Sequence, residues 1–171
     1  MQPFEQGGLD SLCGIYSLLN AERRINNTSN GGSQELFNSI IEYLNRNHLL
    51  APILTQGMLL KHIKAILADV IGDRIPYQKL HFAGRANPDL NTFWTEIASF
   101  LSDAPRAAVL LGMSGTHDHW TVVKEISEKQ IQLFDSRRLR TLKRSNCTTG
   151  ESKGKRHHIL WPAQTYFLGG E

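Results

Sequence analysis

The stretch QGGLDSLCGIYSLLNA, from Gln6 to Ala21, places Cys13 at the start of a helical pattern. The unpaired N–H groups and the macrodipole at a helix start favour an anion. A thiol in that position can fall from its ordinary pKa of about 8.5 to roughly 3.5–7.5. Gly14 would leave the neighbouring backbone uncrowded and let a substrate approach closely. A free cysteine is equally at home as a small buried hydrophobe. A chemical role for Cys13 therefore requires a base elsewhere in the chain.

The segment GTHDHWTVV offers one. His119 stands where a glycine-containing loop enters an apolar run, so strand neighbours would fix its ring and let it point into a cleft while Trp120 points away. His117, two residues earlier, reads as a solvated loop residue. Asp135, in LFDS, closes the run that follows. If the two runs pair as a hairpin, the start of one lies beside the end of the other, and His119 and Asp135 become neighbours. A carboxylate accepting from one imidazole nitrogen fixes the tautomer and supports the imidazolium. Taken alone, Asp135 reads equally well as a turn residue before Ser136. Its position also predicts that Asp135→Ala spares the fold, and because an amide oxygen can still accept the ring N–H, Asp135→Asn is expected to keep more activity than alanine.

The elements that must hold these residues follow from periodicity. A first helix is predicted from Ser11 or Cys13 to Arg24, capped by Asp10 or Ser11, with Ile15, Leu18 and Leu19 on one face. NNTSNGG (Asn26–Gly32) reads as a loop, and Ser33 as the cap of a second helix reaching Asn47. Thr55 is the expected cap of a third helix, with Gly72 as its stop. Ile75–Phe82 reads as a short strand, and Asp89 or Asn91 opens a helix through Leu101. Ala107–Met113, His119–Ile126 and Gln130–Ser136 follow as strands, the last two joined by the turn Ser127–Lys129. A final strand falls in HHILWP or AQTYFLGG. Helices first and antiparallel strands after them predict an α+β domain over residues 1–171, with the helices on one face of the sheet.

With 171 residues, the chain is long enough for a single core. Its apolar runs reach about five residues, far short of the roughly 18 that span a bilayer. No basic stretch followed by an apolar one marks a leader, so a cytoplasmic location without membrane attachment is the expectation, and export by a non-classical route stays open. Two cysteines make no disulfide framework, and no metal-site spacing joins them to the seven histidines. Neither a metal nor a cofactor is implied.

The charge is uneven. Between Arg137 and His158 there are eight Lys or Arg and one acid, a local +7 in a chain of net +3. Such a stretch could meet an acidic partner or nucleic acid. The sequence SNCTTGESKGKRHH within it reads as a mobile, solvated loop, with Cys147 as an exposed, partly activated thiol. The terminal LGGE looks like a double-glycine processing site or a frayed tail.

The chain order Gln6, Cys13, His119, Asp135 resembles the papain-like cysteine peptidase superfamily. DSLCGIYSLLNA, HWTVV and LFDS are most similar to its compact bacterial branch containing the double-glycine leader peptidases. The resemblance covers the start and the second half of the chain; Asn26 to Asp103 offers only helical character. It implies Cys13 as nucleophile, His119 as general base and then acid, Asp135 as the orienting group, and Gln6 as an oxyanion donor beside the Cys13 backbone N–H. One more residue separates Gln6 from Cys13 than the family commonly has. The implied activity is hydrolysis of a peptide or isopeptide bond in a protein or peptide substrate. Deamidase, transglutaminase and acyltransferase chemistry would use the same thioester. A non-catalytic peptide- or nucleic-acid-binding module working through residues 137–158 is the alternative from another class.

Overall fold

The computed structural model describes residues 1–151 and 154–169. Helix α1 spans Cys13–Asn26 and ends where Asn27 takes the left-handed conformation, φ 55°, a role asparagine fills at helix ends. Helix α2 spans Asn30–Arg46. It starts earlier than the apolar pattern indicates, because the Ser29 hydroxyl accepts from Gly32 N–H and brings both glycines into the first turn. A short helix α3, Leu50–Gln56, was not expected. Its Pro52 lies in the first turn, where no intrahelical N–H bond is lost. Thr55 belongs to α3, and its hydroxyl bonds back to the Ala51 and Pro52 carbonyls instead of capping the next helix. Helix α4 runs Leu60–Ile66 and unwinds through a wide turn, Leu67–Ile71, into a tight one, Gly72–Arg74.

Strand β1 is Gln78–Leu80, shorter than the apolar pattern suggests. Helix α5, Leu90–Asp103, is capped by Asp89, whose carboxylate accepts from Asn91 and Thr92 N–H. The remaining strands are β2 Ala107–Gly115, β3 His119–Ile126, β4 Gln130–Leu133, β5 Thr141–Lys143, β6 Cys147–Thr148 and β7 His158–Gly169. The sheet order is β1-β7-β2-β3-β4-β5 with antiparallel neighbours; β6 pairs parallel to β7. The molecule is α+β.

Helices cover both faces of this sheet, not one. Ile15, Leu18, Leu36, Ile40 and Ile63 from α1, α2 and α4 pack on Ala108, Leu110, Val122 and Leu168. Phe93, Trp94 and Ile97 of α5 pack on Val109, Leu111, Val123 and Phe167 on the other side. The unbroken apolar run of β2 is the sequence trace of this: a strand covered on both faces has no polar side. The apolar periodicity of the helices before residue 104 carried no signal for which face each helix takes.

The stretch read as a solvated loop, Ser145–His158, holds β6, and its described residues Cys147, Thr149 and His158 are buried. Ser152 and Lys153 lie outside the described residues, as do Gly170 and Glu171 of the LGGE tail. Gly169 is the end of β7, its N–H donated to the Tyr77 carbonyl. Among the described residues, no helix is long and apolar enough to cross a membrane.

Candidate active site

Cys13 is the first residue of α1 and is half-buried. Asp10 does not cap the helix itself; its carboxylate accepts from Leu12 N–H at 3.0 Å and turns the chain into it. Gly14 serves packing and not substrate approach. A Cβ there would lie 2.7 Å from the Met58 sulfur, so the glycine is what lets the Gly57–Met58 segment close against α1. The Trp120 indole N–H fixes that segment from the other side, donating to the Met58 carbonyl at 2.8 Å. Ser17, one turn beyond Cys13, donates to the Trp120 carbonyl at 2.7 Å. Together these bonds set α1 against the start of β3.

His119 begins β3, and Asp135 follows β4, so the hairpin brings them together. His119 Nε2 and Asp135 Oδ2 are 2.5 Å apart, a charge-assisted hydrogen bond. Thr121 Oγ1 donates to the same carboxylate oxygen at 2.7 Å. The other oxygen accepts the backbone N–H groups of Arg137 and Leu139 at 2.8 and 3.0 Å. Asp135 is 2 % exposed and every acceptor site on it is used. It is therefore not a loosely held strand-end aspartate. His119 Nδ1 is buried with no other hydrogen-bond partner, and it is the nitrogen left for the Cys13 thiol.

The electrostatics of the three groups interlock. Burial works against the imidazolium, but hydrogen bonds to Asp135 and Cys13 and their charges outweigh it and raise His119 to about 9. Burial likewise pushes the Cys13 thiol up. The His119 hydrogen bond, the Trp120 backbone and the positive charges of His119 and Arg137 reverse that and hold it below its usual value. Asp135 is held below the usual carboxylate range, because its partners, His119 first, overcome the cost of burial. The arrangement favours a thiolate beside an imidazolium.

Gln6 reaches the same corner. Its backbone N–H donates to the Ser136 carbonyl at 3.1 Å, and its side-chain oxygen accepts from the Ser136 hydroxyl at 3.2 Å. One of its two amide N–H bonds goes to the Asp10 carbonyl at 3.1 Å. Asn20 anchors this terminal segment by exchanging two hydrogen bonds with the Phe4 backbone.

A cavity of about 220 Å³ opens on Cys13 and His119, and the glutamines lining it are Gln56 and Gln164. Trp120 does not turn away from it; the indole lines the cavity on its way to Met58. The far wall comes from an irregularity in β7. Leu111 pairs with Thr165 but Met113 pairs with Leu160, so the strand bulges over Trp161–Gln164. Pro162 is tolerated there because a bulge leaves its missing donor unneeded. Thr165 Oγ1 closes the bulge onto the Trp161 carbonyl at 2.8 Å, and Trp161 Nε1 donates to Ser114 Oγ at 2.8 Å. Gly112 sits opposite, where a Cβ would meet Gln164 at 2.6 Å. The wall residues Gln56, Met58, Trp161 and Gln164 were missed from the sequence. Pro162 inside a strand-like run is the signal that marks the bulge.

Cys147 contradicts its expected exposure. It is fully buried under α5, and burial alone pushes its thiol up to about 12. The rings of His117 and His157 both lie against His158 beyond the site, with centroids 6.0 and 4.3 Å from it. Among the described residues, no group of three His, Cys, Asp or Glu could hold a metal ion. Comparison with protein-family models, curated proteins and solved structures gave no match.

Proposed function

We propose that this chain is a thiol hydrolase of compact papain-like fold that cleaves a peptide or isopeptide bond. The observation that carries the reading is the His119 ring, clamped through Nε2 by Asp135 and left with Nδ1 for Cys13. The Cys13 thiolate attacks the substrate carbonyl and forms a tetrahedral oxyanion, stabilised by the Cys13 backbone N–H; Gln6, expected to share that role, has its amide on Asp10 and Ser136 and does not line the cavity. His119 gives its proton to the leaving amine, and a thioester remains on Cys13. Water then attacks the thioester with His119 as base, releasing the acid and restoring the thiolate–imidazolium pair. Asp135 holds the ring in the tautomer both steps need.

The test is turnover of a casein or peptide-library substrate by the wild-type, Cys13→Ala and His119→Ala proteins, with mass spectrometry of the products. New amino termini made by the wild type and by neither variant are the expected result. Ammonia release or amine incorporation without chain cleavage would replace hydrolysis of the chain by deamidation or transfer through the same thioester. Undiminished turnover by Cys13→Ala would overturn the reading.

A further inference from the structure

A second cavity lies away from Cys13. It measures about 790 Å³ and sits where the β3–β4 turn, the start of α5 and the segment after β5 converge. His119 is at the other end of β3, which at about 3.3 Å per residue puts the two roughly 20–25 Å apart.

The walls carry more cations than acids. Lys129, Lys143, Arg144 and Arg156 line the cavity, against the acids Asp89 and Glu128. Asp89 caps α5: one oxygen accepts the Asn91 and Thr92 N–H groups, and the other accepts the Thr92 hydroxyl, so its charge faces the helix start. Arg144 is built in place. Its guanidinium donates to Asn91 Oδ1 at 2.7 Å and to the Glu128 carbonyl at 3.3 Å, and it lies 5.1 Å over the Trp94 ring. Those partners are all neutral. They fix the direction of the fork without cancelling its charge, and a concave wall focuses the field of such a group.

We propose that this cavity is a binding site for a small polyphosphate, a compact molecule carrying several clustered phosphates. The volume falls within the 300–1,000 Å³ typical of small-ligand sites. Lys129, Lys143 and Arg144 converging on one hollow match several phosphates on a short frame, whereas an extended nucleic acid needs a stripe with stacking surfaces. The one nearby indole, Trp94, is covered by Arg144 and donates its N–H to the Ser127 carbonyl, so it offers no face to a base. Arg144 would take a phosphate by its fork, and Lys129 and Lys143 would act as point charges.

The experiment is calorimetric titration of the whole chain with inorganic tripolyphosphate at physiological salt. The wild type should bind. Lys129→Gln/Lys143→Gln should weaken binding at least tenfold, with an unchanged thermal melt showing that the fold is intact. Arg138→Gln/Arg140→Gln removes the same charge from the basic segment outside the cavity and should change affinity less than twofold. A twenty-residue oligothymidylate should be displaced by tripolyphosphate. No binding to the wild type, equal losses in the two double variants, or oligonucleotide binding that persists at saturating tripolyphosphate would each overturn the proposal.

Discussion

Cys13 and Cys147 are the same side chain in two kinds of burial. Cys147 sits on β6 among the apolar residues beneath α5, its thiol donating to the Lys143 carbonyl at 3.3 Å. Burial there acts unopposed and drives the thiol up to about 12. Cys13 also loses water, but it meets His119, the Trp120 backbone and the charge of Arg137, and the balance reverses. Removal from solvent therefore does not decide whether a cysteine is inert. What decides it is whether the groups that replace water favour the anion.

That contrast is broken most directly by labelling with iodoacetamide at pH 6, read by mass spectrometry of the two cysteine peptides. Cys13 is expected to react at least about a thousandfold faster than Cys147, because only the thiolate attacks. Similar rates at the two sites would remove the distinction.

Asp135 sharpens the comparison next. Asp135→Ala should lower turnover by about 10³–10⁴. It should also destabilise the fold by about 3 kcal/mol, because a buried partner of His119 and of two backbone N–H groups is lost. The sequence alone suggests that Asp135→Asn is the milder change, and the hydrogen bonds argue otherwise. The amide oxygen must stay with the Arg137 and Leu139 N–H groups, which leaves the NH₂ facing His119 Nε2. The ring then carries its proton on Nδ1, toward Cys13, and cannot serve as base. Turnover of the asparagine variant should fall to within about tenfold of alanine's, with a melt closer to wild type. Assays and melts of both variants decide it.

A smaller effect lies in pH. Turnover needs the imidazolium, so it should fall as pH rises through about 9, the raised value of His119. The acid limb should lie below the ordinary thiol range, because Cys13 is lowered. In folding, His119 binds its proton more tightly than the unfolded chain does. Its contribution is complete below the ordinary 6.5 and is lost as pH rises through about 9. The alkaline limb should move to lower pH in Asp135→Ala, which loses the main group that raises the ring. The smallest effect belongs to Cys147→Ala, expected to cost about 1–2 kcal/mol in a melt and to change turnover less than twofold.

The hairpin was legible in the sequence because its information is local. Two apolar runs around a polar three-residue turn fix which ends meet, and so place His119 beside Asp135. The α1 start was equally plain. The cleft walls were not, because they depend on contacts between distant segments. Gly14 looks permissive until Met58 is seen against it. The Trp161–Gln164 bulge is visible only through its register with β2. Cys147 misleads for the converse reason: a basic, polar neighbourhood in sequence says nothing of a two-residue strand tucked beneath α5. The exchange of hydrogen bonds at Asp135 was likewise hidden, since backbone N–H donors leave no mark in residue identity.

The span of the chain across the cleft has a consequence for folding kinetics. His119 and Asp135 are 16 positions apart, and their hairpin can close by local search. Ser17 and Trp120, whose bond seats α1 on β3, are 103 positions apart. Long closures cost more chain entropy, and topologies that depend on them form slowly. The histidine–carboxylate pair can thus assemble early, while the cysteine reaches it only when the two halves dock. Until then Cys13 is an ordinary thiol, mostly protonated at neutral pH. A nascent or refolding chain acquires its reactive sulfur as one of the last events, so appearance of the thiolate would time the completion of the native state.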